Sequence, residues 1–346
     1  MNTRGLVALK AGNSLTPYSF ERRALKSTDI DFSISYAGIC HSDIHQVRQE
    51  WGPALFPMVP GHEIVGIVDR VGRDVKNFSP GDKIGVGVFV DSCRTCTQCL
   101  QGLEQYCKEG MTPTYNGMER DGQTISFGGY SNRFVIDYKY AVHVPDSLEF
   151  SGVAPLLCAG ITLYSPLRHW NTNAKTKIAV MGLGGLGHLG LKFAKAMGAE
   201  VTVLSHSPSK ESDAKAMGAD DFINTSNSTE MAKAEKRFDL ILNTVSAELD
   251  INQYLKQLSL NGTLVCIGLP GKPYAVNVGS LLEARRSLAG SMIGGIAQTQ
   301  EMLDFAADHN IVSEVEVIEA SYVNTAYERT VASDVRYRFV IDAKTF

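Results

Sequence analysis

Four of the seven cysteines in this chain form a cluster with short, regular spacing. The cluster has the pattern C-x2-C-x2-C-x7-C and consists of Cys93, Cys96, Cys99 and Cys107. Four thiolates in one loop are the ligands of a closed, tetrahedral structural zinc site. A ferredoxin-type iron–sulfur cluster uses a similar run, but its last spacing is about three and a proline follows the final cysteine. The spacing of seven therefore predicts zinc at this loop.

A second candidate metal set is dispersed along the chain. Cys40, His62 and Cys158 would provide two sulfur ligands and one nitrogen ligand. Such a Cys2His set with an open fourth position is an arrangement of catalytic zinc. The spacing alone does not bring these residues together, and a single buried cysteine or histidine is more often a core residue than a ligand.

A glycine-rich turn follows an apolar stretch at residues 177–181. The sequence Gly182-Leu183-Gly184-Gly185-Leu186-Gly187 fits G-x-G-x-x-G, and a segment with helical spacing comes next. In this context the pattern predicts a dinucleotide-binding turn, because the glycines let backbone N–H groups approach a pyrophosphate at a helix N-terminus. The alternative is a tight strand–helix turn without a ligand. The predicted cofactor-binding residues of the turn are Gly182, Gly184, Gly185, Leu186 and Gly187.

The end of the next predicted strand indicates which phosphate the cofactor carries. Proteins that bind NAD usually place a carboxylate there for the ribose 2′-hydroxyl. This chain instead has Ser205, His206 and Ser207, with Lys210 close behind. Hydroxyls and a lysine can bind a 2′-phosphate, which a carboxylate would repel. We therefore predict NADP(H) rather than NAD(H). The alternative is that these residues only form a turn and a helix cap.

Composition limits the other functions that the chain could have. It has 346 residues, 44% of them hydrophobic, and a net charge of −4. This balance gives no indication of a nucleic-acid partner. No stretch approaches the roughly 20 apolar residues of a membrane span, and the N-terminus leads into no run of signal-peptide length. We therefore expect a cytoplasmic protein with neither a nucleic-acid nor a membrane partner.

Two different patterns of strand-like and helical stretches along the chain predict two domains. The first part has short strand-like stretches, such as residues 64–68 and 83–88, between polar loops. From about residue 177, strand-like and helical stretches alternate, which predicts βαβ units and a parallel sheet. We predict a catalytic domain over residues 1–150, a nucleotide-binding domain over 151–291, and a return of residues 292–346 to the first domain. The fold class is therefore α/β, with a doubly wound parallel sheet inserted into a β-rich domain.

Four separate stretches, together with the four-cysteine loop, are similar to one known family. They are Ala37-Gly38-Ile39-Cys40-His41-Ser42-Asp43-Ile44-His45, Pro57-Met58-Val59-Pro60-Gly61-His62-Glu63, Pro155-Leu156-Leu157-Cys158-Ala159-Gly160 and Gly182-Leu183-Gly184-Gly185-Leu186-Gly187-His188. In this order they resemble the zinc-containing medium-chain dehydrogenase/reductase family, and specifically its cinnamyl alcohol dehydrogenase-like branch. The resemblance implies a GroES-like catalytic domain, an inserted Rossmann domain, two zinc ions per chain, and a homodimer.

The resemblance also implies a role for each site residue. Cys40, His62 and Cys158 would bind the catalytic zinc, and Glu63 would be a transient or resting ligand. Asp43 would orient His62, Ser42 would hydrogen-bond the substrate oxygen, and His45 would be the outer end of a proton relay. Ser205, Ser207 and Lys210 would bind the 2′-phosphate, whereas His206 replaces a serine common in the branch. As alternatives, Ser42 could be a helix N-cap and Asp43 an ordinary acid at a helix start.

These expectations define a zinc-dependent NADP(H) alcohol dehydrogenase that reduces aldehydes. Apolar residues near the motifs favour aromatic or medium-chain aldehydes over small polar ones; the candidates are Trp51, Leu55, Met58, Phe89, Met111 and Ile293. Alternatives are a zinc-dependent dehydrogenase of the polyol or formaldehyde type, a zinc-free quinone or enoyl reductase, and a non-catalytic nucleotide-binding zinc protein.

Overall fold

The fold is taken from a computed structural model, which describes residues 2–346. The strands are β1 (Asn2–Val7), β2 (Thr16–Glu21), β3 (Asp29–Gly38), β4 (Ile64–Val71), β5 (Lys83–Val86), β6 (Phe89–Asp91), β7 (Thr112–Pro113), β8 (Gly117–Met118), β9 (Ile125–Ser126), β10 (Arg133–Asp137), β11 (Val142–His143), β12 (Lys177–Met181), β13 (Glu200–Ser205), β14 (Asp221–Asn224), β15 (Phe238–Asn243), β16 (Leu258–Cys266), β17 (Ser287–Gly290), β18 (Val315–Ile318) and β19 (Arg338–Asp342).

The α-helices are short, and most of them lie between the strands of the second half. They are α1 (His41–Val47), α2 (Thr97–Leu100), α3 (Phe150–Val153), α4 (Ala159–His169), α5 (Gly187–Ala196), α6 (Glu211–Ala216), α7 (Ser228–Lys233), α8 (Ile251–Leu255), α9 (Val278–Leu282), α10 (Ile296–Asp308) and α11 (Val323–Val331). Between residues 2 and 346, no single helix is long and apolar enough to cross a membrane. One bent pair, Phe150–Leu157 with Ala159–His169, reaches that length and composition.

The chain divides into two compact units. Unit 1 contains the residues up to Ile161 together with Gly294–Phe346, and unit 2 is Thr162–Ile293. We predicted boundaries after residues 150 and 291, so the structure assigns residues 151–161 to unit 1 and residues 292–293 to unit 2, unlike the prediction. For residues 151–161 the reason is local packing, because α3 and the 3-10 helix Ala154–Leu157 contact strands β3 and β4 of unit 1.

Unit 1 is built on a mainly antiparallel sheet with the strand order β11-β5-β4-β3-β19-β18, and β10 also pairs with β3. Its last two strands, β18 and β19, come from the C-terminal part of the chain and are parallel to each other. Strand β19 pairs antiparallel with β3. This pairing joins the two separate chain segments of unit 1, and it places the C-terminal residues beside the end of β3, where the first metal motif begins.

Unit 2 has a six-stranded parallel sheet with the order β14-β13-β12-β15-β16-β17. If β12 is taken as the first strand, the order is 3-2-1-4-5-6, which is that of the Rossmann fold. The residues Ile178 to Met181 of β12 are all buried, as expected for a central parallel strand that is covered on both faces. The predicted fold class, a parallel sheet of this type inserted into a β-rich domain, is therefore confirmed.

Candidate active site and metal centres

The four-cysteine loop connects β6 to β7 and brings its sulfur atoms together. Single atoms of Cys93, Cys96, Cys99 and Cys107 all lie within 4.8 Å of one another, and none of these cysteines forms a disulfide. The Cys96 backbone N–H donates to Cys93 Sγ at 3.3 Å. Hydrogen bonds from the Thr95 and Cys96 backbone lower the pKa of Cys93 to about 6. The pKa of Cys96 is lowered too, by the Cys99 and Lys108 backbone. The loop therefore offers four converging sulfur donors, which is the donor set of a structural zinc ion.

The dispersed set also converges, and it lies entirely within unit 1. Ligand atoms of Cys40, His62, Glu63 and Cys158 all lie within 4.8 Å of one another. Cys40 follows β3 and is the N-cap of α1, whereas His62 and Glu63 immediately precede β4. Cys158 follows the 3-10 helix Ala154–Leu157, which packs against the same strands. Neighbouring sheet strands thus bring together ligands that are remote in sequence.

Asp43 makes the contacts that both of its expected roles require. As the third residue of α1, it accepts a hydrogen bond from the Cys40 backbone N–H at 2.9 Å, which satisfies a free donor at the helix start. Its other carboxylate oxygen lies 3.0 Å from His62 Nδ1. Asp43 therefore fixes the orientation of the His62 ring and leaves Nε2 as the nitrogen available to a metal.

Glu63 is held by a residue that the sequence analysis did not identify. Arg338, the first residue of β19, is buried, and its Nη2 lies 2.5 Å from Glu63 Oε1. Glu63 is fully buried, and its Oε2 has no hydrogen-bond partner. A buried carboxylate oxygen without a partner beside two cysteines and a histidine fits a metal site. No sequence signal marked Arg338, because it meets Glu63 only through the pairing of β19 with β3.

The thiols of the dispersed set influence each other strongly. The contact with Cys158 is the largest influence that holds the pKa of Cys40 well below its ordinary value, and burial opposes it. The same contact, together with burial, raises the pKa of Cys158. The two sulfur atoms therefore differ in proton affinity, with Cys40 biased toward thiolate and Cys158 toward thiol. A divalent cation there would replace the thiol proton as the source of positive charge.

The remaining predicted residues of unit 1 lie on α1, on the same segment as Cys40. Ser42 Oγ is 3.5 Å from Cys40 Sγ, close enough for a hydroxyl to meet a molecule bound at the cluster. His45 lies one turn further along the helix, where its Nδ1 is 2.5 Å from Glu50 Oε2. Its ring stacks on Trp51 with centroids 4.8 Å apart. Glu50 and Trp51 were not predicted as partners of His45.

In unit 2 the glycine turn connects β12 to α5. Its glycines differ in whether the turn leaves room for a side chain at their position. Gly182 has a φ of +85°, and a Cβ at Gly187 would overlap the Gly182 carbonyl. Both glycines are explained by the tight turn alone. A Cβ at Gly184, however, would meet nothing within 4 Å. The space beside this backbone is open, as a site for a pyrophosphate requires.

The predicted 2′-phosphate residues lie next to the glycine turn. Ser205 is the last residue of β13, and its Oγ accepts a hydrogen bond from the Ser207 backbone at 3.2 Å. Lys210 Nζ donates to the Leu183 carbonyl, inside the turn, at 2.9 Å. A cation therefore reaches the region between the two motifs. The His206 side chain is exposed beside them.

Comparisons with known proteins agree with this geometry. Residues 26–146 match the alcohol dehydrogenase GroES-like domain, and residues 185–308 match the zinc-binding dehydrogenase family. The chain is 54% identical over 97% of its length, and 96% of the relative's, to the NADP-dependent alcohol dehydrogenase C of Mycobacterium bovis. The chain belongs to the zinc-containing medium-chain dehydrogenase/reductase family.

Two further relatives place the chain in the cinnamyl alcohol dehydrogenase-like branch of this family. The aldehyde reductase YahK of Escherichia coli is 48% identical over 100% of the chain and 99% of the relative. The solved structure of a cinnamyl alcohol dehydrogenase from Sorghum bicolor is 42% identical. It superposes with a TM-score of 0.96 over 99% of this chain and 98% of the other. The predictions of the family, of the fold class and of a dehydrogenase are therefore confirmed.

The apolar residues that we expected near the substrate separate into two groups. Met58, Phe89 and Ile293 are buried core residues. Trp51 and Leu55, in contrast, are 43% and 38% exposed, and Trp51 lies against the ring of His45. Met111 lies between the two groups, because it is half-buried. Of the apolar candidates in unit 1, Trp51 and Leu55 are therefore the most exposed, followed by Met111.

Proposed function

We propose that this member of the dehydrogenase family is a zinc-dependent NADP(H) alcohol dehydrogenase that reduces aromatic or medium-chain aldehydes. The observation that carries the proposal is the convergence of Cys40, His62 and Cys158 with the unpartnered oxygen of Glu63. Zinc held by this set supplies a Lewis acid that polarises the aldehyde carbonyl, and NADPH supplies the hydride. The name of the mycobacterial relative supports NADP(H) over NAD(H).

Side chains of unit 1 orient the reactants and move the proton. Asp43 holds the ring of His62, so the orientation of this ligand is fixed before substrate arrives. The Ser42 hydroxyl, at the edge of the cluster, donates a hydrogen bond to the substrate oxygen as negative charge develops there. His45 then passes a proton inward, and its contact with the partly exposed Glu50 connects it to solvent.

Side chains of unit 2 select the cofactor. The backbone beside Gly184 is open to the pyrophosphate, while Ser205, Ser207 and Lys210 bind the 2′-phosphate. Lys210 is anchored by the Leu183 carbonyl, which keeps its ammonium group beside the residues for the 2′-phosphate. Because β13 ends in Ser205 rather than in a carboxylate, nothing at that position repels the 2′-phosphate.

The test is a panel of aldehydes assayed by NADPH absorbance, with NADPH and NADH compared, before and after removal of zinc. We expect turnover with aromatic aldehydes and NADPH that is lost with the metal. The matched variant Cys158→Ala should abolish turnover and leave NADPH binding close to wild type. Retained activity in Cys158→Ala would reject the proposed ligand set. Faster turnover with formaldehyde or a polyol would favour the alternative dehydrogenase class, and NADPH binding without any turnover would favour a non-catalytic protein.

Two zinc ions per chain and a cytoplasmic homodimer complete the proposal. The two clusters offer four sulfur ligands in one case and a mixed set in the other, so metal analysis should find two zinc ions per chain. The dimer is supported by β17, which is an edge strand of its sheet among residues 2–346, and by Val278 and Leu282, which precede it in the chain and are 61% and 77% exposed. An exposed edge strand with apolar neighbours favours pairing with a second copy. Light scattering should show a dimer that Leu282→Glu weakens.

A further inference from the structure

The carboxylate of Asp43 has more partners than the contact with His62. Its Oδ1 faces His62 Nδ1 at 3.0 Å and accepts the Gly61 backbone N–H at 3.1 Å. Its Oδ2 accepts the Cys40 backbone N–H at 2.9 Å and the Tyr130 hydroxyl at 3.1 Å. A carboxylate offers about four acceptor positions, two on each oxygen. Two backbone N–H groups, the His62 ring and the Tyr130 hydroxyl occupy these positions, and the buried Tyr115 also interacts with the carboxylate.

Tyr130 is placed by the same backbone that carries His62. The backbone N–H groups of residues 128–130 donate to the carbonyls of Val59, Gly61 and Pro60 at 2.7, 2.9 and 2.9 Å. The two segments therefore run side by side, directly before the metal-ligand pair. A Cβ at Gly61 would lie 2.5 Å from the Tyr130 ring, so Tyr130 packs tightly against the turn that leads into His62.

A half-buried arginine fixes the loop that contains Tyr130. Arg22 donates to the carbonyls of Phe127, Gly128 and Arg133, and to the Ser131 hydroxyl at 2.9 Å. Three backbone carbonyls around Tyr130 are thus held by one planar side chain. Burial lowers the pKa of Arg22 to about 9, against the pull of Glu119, and this remains above neutrality. The arginine keeps its charge, and the loop keeps its position.

We propose that Tyr130 is a positioning residue for the catalytic metal site, acting through Asp43 on His62. The inference rests on the proposed function, because it assigns Tyr130 to the metal site of that reaction. The Tyr130 hydroxyl holds the plane of the Asp43 carboxylate, and the carboxylate holds the ring of His62. Neither Tyr130 nor Asp43 has any exposed surface, so water cannot take the place of a missing hydroxyl. Without it, Oδ2 loses the 3.1 Å contact with the Tyr130 hydroxyl and keeps the Cys40 backbone N–H.

The test compares Tyr130→Phe with Tyr327→Phe in the full-length, metal-loaded enzyme. Tyr327 is a matched control because it is also buried, and its ring contacts that of Tyr130 with centroids 6.4 Å apart. Its hydroxyl, however, makes no hydrogen bond to Asp43. Each variant is mixed with a colorimetric chelator, and metal release is recorded together with loss of activity. The release phase that accompanies inactivation reports the Cys40–His62–Cys158 site, and any other phase reports the four-cysteine loop.

We expect Tyr130→Phe to release the active-site metal several-fold faster than wild type, which is less than the roughly tenfold or more that follows loss of a direct partner of a metal ligand, because Tyr130 contacts Asp43 and not His62. Tyr327→Phe should release it at the wild-type rate, although both variants lose one hydroxyl and some thermal stability. The cobalt-substituted enzyme gives a second readout. Its visible absorption should change in Tyr130→Phe and not in Tyr327→Phe, because only the first substitution changes the orientation of a ligand.

A double-mutant cycle with Asp43→Asn tests the route of the effect. If Tyr130 acts through the carboxylate, Tyr130→Phe should accelerate metal release much less in the Asp43→Asn background than in wild type. Should Tyr130→Phe not fold, 3-fluorotyrosine in place of Tyr130 keeps the ring and provides a stronger donor. Metal release should then be slower than in wild type.

The proposal is overturned if Tyr130→Phe and Tyr327→Phe release metal at equal rates, or if the effects of Tyr130→Phe and Asp43→Asn are independent. Its failure is distinguishable from that of the proposed function. If Tyr130 has no effect while Cys158→Ala still abolishes turnover, only the present inference fails. If the wild-type enzyme loses its metal without losing activity, the proposed function itself fails.

Discussion

Replacing Arg338 with methionine should destabilise unit 1 severely. Arg338 is 4% exposed and Glu63 is fully buried, and their side chains meet at 2.5 Å. The guanidinium also donates to the Ile39 carbonyl from Nε at 3.1 Å and from Nη2 at 2.8 Å. Methionine fills a similar volume with a flexible apolar chain, so the substitution removes the charge and these hydrogen bonds with little loss of packing.

The magnitude follows from the burial of both partners. Above about pH 8, where Glu63 is charged, removing one partner of this buried ion pair costs about 3–5 kcal/mol, because the remaining charge is left uncompensated. For a unit of roughly 200 residues, each kcal/mol lowers the melting temperature by about 2–4 °C. We therefore expect the transition of unit 1 to fall by about 6–20 °C in Arg338→Met.

The loss of stability in Arg338→Met should also depend on pH. Burial raises the pKa of Glu63 to about 8, and Arg338 is the strongest of the groups that oppose this rise. A carboxyl whose folded-state pKa is raised binds more protons in the folded chain, so its contribution to stability falls as pH rises from its unfolded value toward about 8. Without Arg338 the folded-state pKa rises further, and this loss continues above about pH 8. The variant should therefore lose more stability than wild type between about pH 7 and about pH 9.

Differential scanning calorimetry of the metal-depleted protein measures both effects. Arg329→Met is the matched control, because Arg329 pairs with Glu316 and Asp334 at the surface of the same unit. Its melting temperature should change far less, since exposed ion pairs contribute little. If Arg338→Met melted within about 2 °C of Arg329→Met, the buried pair would not hold Glu63 as argued here.

Three further predictions concern the four-cysteine loop, the choice of cofactor and the close contact between Gly38 and Glu63. Cys96→Ala should lower the zinc content by one ion and reduce thermal stability, as metal analysis and calorimetry would show; unchanged values would reject the structural site. Lys210→Ala should raise KM for NADPH by about 10-fold or more, because a charge-assisted hydrogen bond to the 2′-phosphate is lost. KM for NADH should not rise. An equal rise for both cofactors would reject the role of Lys210 at the 2′-phosphate. Gly38→Ala should lower occupancy of the active-site metal, because its Cβ would overlap Glu63 Oε2; a normal metal content would show that Glu63 can move without consequence.

Much of the secondary structure and one of the two metal sites could be predicted from local sequence. The order and type of the elements in unit 2 follow from short apolar stretches that alternate with helical spacing, because each βαβ unit is specified by its own residues. The four-cysteine loop was readable for the same reason, since its ligands are close in sequence and need only one loop to meet. The open backbone beside Gly184 agrees with a glycine pattern that also lies within a few residues.

The dispersed metal site could not be predicted from local sequence, because its ligands meet only after a sheet has formed. From the residues alone, Cys40, His62 and Cys158 were three separate candidates, and the resemblance to a family was needed to group them. Tertiary structure decided the rest. Strand β19 returns from the C-terminal part of the chain to pair with β3, and this pairing alone brings Arg338 to Glu63. Tyr130 reaches Asp43 because residues 128–130 run beside residues 59–61. Such contacts depend on strand order and register, which no local pattern in the sequence specifies.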